Sequence, residues 1–95
     1  MLKAQAQVKT EKASRYLKAL CNHFNRKVTA EYNDTQGSVQ FGFADCVMVA
    51  TEDALGIRIQ ADNAENFERV KYVVSDHLVR FGNNESLDVT WVDES

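Results

Sequence analysis

The residues of this chain best suited to acid-base, nucleophilic or metal chemistry are two histidines, His23 and His77, and two cysteines, Cys21 and Cys46. Imidazole titrates near neutral pH and binds metals through either nitrogen, and a thiolate is both a nucleophile and a soft ligand. Cys21 and His23 lie two positions apart, and in a helix such residues point about 200° away from each other, so one metal does not easily take both. His23 instead shares a helical direction with Tyr16 and Lys27, which groups an imidazole, a phenol and an amine along one flank. Tyr16, His23, Lys27 and His77 are the candidate ligand-binding residues. His23, Cys46 and His77 form a weaker candidate metal set. Soft N and S ligands suit zinc or iron, but the spacing follows no established metal pattern. The expected alternative for Cys21 is a small buried hydrophobe, and for each histidine a hydrogen-bonded boundary residue.

Motifs that mark an enzyme are missing. There is no Gly-rich loop followed by Lys, no G-x-S-x-G and no H-E-x-x-H, so no catalytic residue is assigned and no cofactor is implied. With 95 residues the chain has room for one domain, 1–95, and 44% hydrophobic with 26% charged residues suits an ordinary globular protein. Eleven Lys and Arg against fourteen Asp and Glu give a formal charge of -3, which argues against nucleic acid as a partner. The longest apolar run, residues 46–50, is far short of the roughly 18 needed to span a bilayer, so no membrane partner is expected. Two cysteines are too few for a disulfide framework, and no secretory signal opens the chain, which makes the cytoplasm the expected location. No Pro and only four Gly leave nothing that reads as a linker. Order is expected throughout, apart from a frayed acidic end at Asp93, Glu94 and Ser95.

The elements that would position these residues follow from hydrophobic periodicity. Leu2, Ala4, Ala6 and Val8 alternate with Lys3, Gln5, Gln7 and Lys9, the pattern of a half-buried strand. Thr10 is a plausible N-cap, with Glu11 in the first turn. Ala13, Tyr16, Leu17, Leu20, Cys21 and Phe24 then fall at spacings of three and four, predicting a helix over 11–25. Val28, Ala30 and Tyr32 alternate up to the turn-forming run 33–37, and Val39, Phe41 and Phe43 alternate after it, predicting a hairpin. Two more strands, 46–51 and 55–61, are joined across 52–54 and complete a four-stranded meander. Asp62 and Glu65 approximate a capping box for a second helix carrying Phe67, Val70, Val74, His77, Leu78 and Phe81, with Gly82 at its end. Leu87, Val89 and Trp91 predict a last strand. The order β-α-β-β-β-β-α-β implies a two-layer α+β sandwich, with a mostly antiparallel sheet and two helices on one face. The sheet neighbours of the first and last strands stay open. Basic residues on both helices, among them Arg15, Lys18, Arg69 and Arg80, interleave with Glu11, Glu65, Glu68 and Asp76, the pattern of solvated charged faces.

The run Arg15-Tyr16-Leu17-Lys18-Ala19-Leu20-Cys21-Asn22-His23-Phe24 resembles the first-helix signature R-Y-L-x-x-L-C-x-H of a small bacterial family, domain of unknown function 2218. The turn Asp34-Thr35-Gln36-Gly37 resembles its D-T-x-G, residues 55–61 its L-x-x-R-x-x-A, and His77-Leu78-Val79-Arg80-Phe81 its H-L-x-R-F. Leu87, Val89 and Trp91 match an L-x-V-x-W ending, so the resemblance spans nearly the whole chain. It implies no activity. It implies a cytoplasmic accessory role, because relatives in some bacteria are encoded beside siderophore and iron-uptake genes. Cys21 and His23 match the signature and His77 matches the shorter variants, while Lys27-Val28-Thr29 leaves no room for the basic loop of longer ones. Three functional readings follow. The first is a binding or accessory module for a small molecule or protein partner, held on the open sheet face or between the helices near Tyr16, His23 and His77. The second is a structural homodimer without ligand. The third is a small enzyme or metal-binding protein using His23, His77 and a Cys.

Overall fold

A computed structural model describes residues 1–94. Its elements are β1 (Leu2–Lys9), α1 (Ala13–Phe24), β2 (Thr29–Tyr32), β3 (Gln36–Gln40), β4 (Asp45–Ala50), β5 (Ala54–Ala61), α2 (Ala64–Phe81) and β6 (Val92–Glu94). The six strands form one antiparallel sheet in the order β2-β3-β4-β5-β1-β6. The meander over the middle of the chain and the two-layer α+β arrangement are as the periodicity predicts. The sheet also supplies what periodicity leaves open: β1 lies between β5, paired over its full length from Leu2↔Ala61 to Lys9↔Ala54, and the short edge strand β6.

Alternation decides which side of the sheet is covered. Ala4, Ala6 and Val8 of β1, Cys46, Met48 and Ala50 of β4, and Leu55, Ile57 and Ile59 of β5 are buried, and their neighbours in sequence face the open side. α1 covers β2 to β5 with Leu17, Leu20 and Cys21, and α2 covers β5 and β1 with Val70, Val74 and Leu78. Each fully buried Leu or Ile contributes about 1.5–3 kcal/mol relative to its exposed state. Gly37 lets α1 approach closely, since a Cβ there would lie 2.7 Å from Cys21 Sγ and 3.2 Å from Leu17 Cδ2.

Five local features depart from the sequence expectation, each for a physical reason. The Thr10 hydroxyl accepts the Lys12 N–H at 3.1 Å, forming a turn ahead of the helix, so α1 starts at Ala13 rather than Glu11 and has no side-chain cap. The cap of α2 is Asn63, whose Oδ1 accepts from the Asn66 N–H at 2.9 Å, rather than Asp62. β3 ends at Gln40 because Gly42 adopts φ +92°, a region that favours glycine, and turns Phe41 and Phe43 out of the ladder. The last strand is Val92–Glu94, whereas Leu87, Val89 and Trp91 lie in an irregular strap packed on the core, with Trp91 Nε1 donating to Ser75 Oγ at 2.8 Å. The acidic end is fastened rather than frayed. Asp93 accepts from Lys71 at 2.9 Å and Glu94 from Arg58 at 2.8 Å, while Ser95 lies outside the described residues. Among the described residues no helix is long and apolar enough to cross a membrane.

Candidate functional site

The end of α1, the middle of α2 and the β3–β4 turn converge on a cleft of about 440 Å³. α1 brings His23 and Phe24, and the turn that follows it brings Arg26, Lys27 and Val28. The turn around Gly42 brings Phe41 and Phe43. α2 brings Arg69, Val73 and His77, which stand at successive intervals of four and therefore share one helical flank.

Aromatic rings form the wall. The His23 and His77 centroids are 4.8 Å apart, Phe24 lies 5.0 Å from both His77 and Phe41, and Phe41 lies 5.5 Å from Phe43. Phe24 meets His77 and Phe41 edge to face, the favoured arrangement for rings with a negative face and a positive rim, and the other two pairs are tilted. His77 Nδ1 sits 2.7 Å from the Val73 carbonyl and must donate to it, so the neutral ring keeps Nε2 as an acceptor. Burial pulls the His23 pKa down, and the neighbouring His77, Arg26 and Lys27 pull it further in the same direction.

Arg26, Lys27 and Arg69 have no ion pair among the described residues, as is true of Lys3, Lys9, Lys12 and Arg15 elsewhere, but the three gather at one mouth and no carboxylate lines the cleft. Arg69 lays its guanidinium over Phe43, 4.1 Å from the ring centroid. The carbonyls at the end of α1 would oppose an anion, but those of Cys21, His23 and Phe24 accept from the N–H groups of Asn25, Arg26 and Lys27.

Of the residues singled out from sequence, His23, Lys27 and His77 meet at this cleft. Tyr16 does not line it. Its hydroxyl donates to Glu85, which also accepts from Thr10 Oγ1 at 3.0 Å, tying the start of α1 to the strap after α2. The bond to Glu85 and burial hold the Tyr16 phenol above its usual pKa, and the same bond holds the Glu85 carboxyl below its own. Cys46 is buried within β4, away from the cleft lining. Among the described residues no group of three or more His, Cys, Asp or Glu is placed to hold a metal. Both thiols are free and buried; burial pushes Cys21 up to about 11 and Cys46 up as well. Sequence reasoning missed Phe41, Phe43 and Arg69 as cleft residues. The usable signals were the Gly between two Phe and the spacing Arg69-Val73-His77. The open sheet face also has hollows, one of about 250 Å³ where Arg58 pairs with Glu94 at 2.8 Å and Gln60 with Asp45 at 3.2 Å, and one of about 480 Å³ lined by Glu31, Tyr32, Val47 and Val49.

The model of domain of unknown function 2218, described as an uncharacterized protein conserved in bacteria, matches residues 5–92. The chain belongs to this family. Its fold is similar to that of PA4090 from Pseudomonas aeruginosa, known from an NMR structure. The two are 32% identical, with a TM-score of 0.82 over 97% of this chain and 96% of that one. No curated protein matches the chain. The signature residues Cys21, His23 and His77 of this member of the 2218 family thus divide between two environments: Cys21 is fully buried under β3, and the histidines line the cleft.

Proposed function

We propose that this protein is a small-molecule binding or accessory module that holds its ligand in the cleft between α1, α2 and the β3–β4 turn. The observation that carries the reading is the concave, ring-walled pocket at which Arg26, Lys27 and Arg69 gather with no carboxylate in its lining. Ligand sites are commonly apolar hollows of about 300–1,000 Å³ with a few convergent polar groups, and this cleft fits that description. The enzyme reading has less support: both thiols are protonated and buried, and the two imidazoles have no carboxylate beside them in the cleft. The cytoplasmic setting is carried over from the sequence expectation, and a link to iron or siderophore chemistry comes from the family resemblance alone, so iron enters as one ligand to be tried.

The test is thermal melting against neutral, anionic and cationic small organic molecules, an iron chelate, and divalent metal ions. A ligand at about 100 times its Kd adds about 2.7 kcal/mol to stability, which a domain of this size shows as a rise of several degrees. At least one organic compound should raise Tm in a concentration-dependent way, and Phe41→Ala should remove the rise. Silence across the set, or a rise that survives Phe41→Ala and Phe43→Ala, would count against the cleft.

A further inference from the structure

A chain with a formal charge of -3 collects three unpaired cations, Arg26, Lys27 and Arg69, around one mouth and places no carboxylate there. Like charges brought together without counter-charge repel, so the arrangement carries a standing electrostatic cost that a bound anion would relieve. The same field repels ammonium groups and bare metal ions, which makes the cleft selective by charge before any contact forms. Beneath the cations lie Phe24, Phe41 and Phe43 and the paired imidazoles, which offer ring faces and edges at stacking distance to a flat guest.

We infer that the ligand is an organic anion on a flat aromatic body, its acidic group held by Arg69 with Arg26 and Lys27, and its ring against Phe24, Phe41 and Phe43. The inference rests on the small-molecule reading above and narrows it to one chemical class. Arg69 is the principal holder. Its guanidinium already rests on Phe43, which limits its freedom and places a fork suited to carboxylate beside the ring wall. Arg26 and Lys27 are exposed and supply long-range attraction. The aromatic wall distinguishes this ligand from inorganic phosphate or a short aliphatic acid, which would meet the cations and leave the rings in water.

Three naphthyl probes of similar size, 2-naphthoate, 2-naphthamide and 2-naphthylmethylammonium, vary charge, and the smaller, non-aromatic cyclohexanecarboxylate keeps the carboxylate without the flat rings. Each is titrated into the isotope-labelled protein while the resonances of Phe24, Phe41, Phe43 and His77 are followed. The naphthoate should bind at least about tenfold more tightly than the amide, as expected for a charge-assisted contact, and the ammonium should not saturate. The cyclohexane acid should bind more weakly than the naphthoate. Arg69→Gln, a change at an exposed position, should bring the naphthoate down to the affinity of the amide while leaving the amide unchanged. Equal affinity of naphthoate and amide, or tighter binding of the ammonium, overturns the anion class yet leaves the small-molecule reading standing. Tighter binding of the cyclohexane acid than of the naphthoate overturns the aromatic part. If no probe shifts these resonances, the inference fails, and the reading beneath it fails too only if the broader thermal set is also silent.

Discussion

At the scale of single residues, His23 is the group whose chemistry the cleft alters most. Its pKa is lowered by burial and by His77, Arg26 and Lys27, with Arg69 facing the same space from α2, so the free imidazole is neutral at pH 7. An anion beside it favours the charged ring and raises that pKa. Binding therefore takes up a proton, and affinity for 2-naphthoate should rise as pH falls toward the depressed free value of His23, below the ordinary histidine range near about 6.5. Measured dissociation constants should follow that slope in the native protein and flatten in His23→Ala; a slope unchanged by the substitution would detach His23 from the ligand. The same shift acts on folding. A histidine with a depressed folded pKa binds fewer protons folded than unfolded, so its effect lowers stability as pH drops through the unfolded value. The thiols predict inertness: Cys21, held near 11, and Cys46 should not react with an aromatic disulfide reagent until the chain unfolds, and rapid reaction of either in the native protein would refute their burial. His23, Lys27 and His77 were legible in the sequence because residue type and helical phase suffice to place them beside an apolar stripe. Phe41 and Phe43 were not, because a Phe-Gly-Phe alternation reads as strand until the positive φ of Gly42 is seen.

At the scale of elements, the packing of α1 on the sheet and the anchoring of the strap are the testable features. A Cβ at Gly37 would press on Cys21 and Leu17, both fully buried in a layer with little give. Gly37→Ala should cost about 1–3 kcal/mol in urea unfolding, the usual range for overpacking, and an unchanged midpoint would show that α1 sits farther from β3 than described. Glu85 fastens the strap to Tyr16 and Thr10. Because the Glu85 pKa is lowered by its bond to Tyr16, its contribution is present at neutral pH and disappears as pH falls through the depressed value. The Tyr16 phenol, raised by the same bond, loses its contribution as pH rises through its elevated value. Glu85→Gln should therefore melt below the native protein at pH 7, with the gap closing toward acid; a gap independent of pH would assign the effect to packing alone. The order of the elements was legible from periodicities of two and between three and four. The last strand was misplaced because the strap, with Leu87, Val89 and Trp91 turned to the core, alternates like a strand but donates to α2 through Trp91 instead of to a ladder.

At the scale of the whole molecule, the placement of β1 between β5 and β6 is what no local pattern reveals, since it depends on residues 45 or more positions apart finding each other. That pairing sets the helices side by side and brings the ends of α1 and the flank of α2 to one cleft. The opposite face of the sheet carries Lys3, Gln5, Gln7, Arg58 and Gln60, with Val47 and Val49 as exposed apolar residues at its centre. Val47 and Val49, with Val92 beside Gln5 at the edge, offer little amid charge toward the roughly 1,200 Å² or more that a stable dimer buries, so light scattering at micromolar concentration should report a monomer. A concentration-independent dimer would restore the structural-homodimer reading. The most direct test of the central claim is a backbone amide shift map of the labelled protein against the small organic compounds that raise its Tm. Ligand occupancy of the cleft predicts saturable shifts grouped at His23, Phe24, Val28, Phe41, Phe43, Val73 and His77. Saturable shifts grouped instead on Val47, Val49 and Arg58, or none at the cleft with any compound that stabilises the protein, would contradict it.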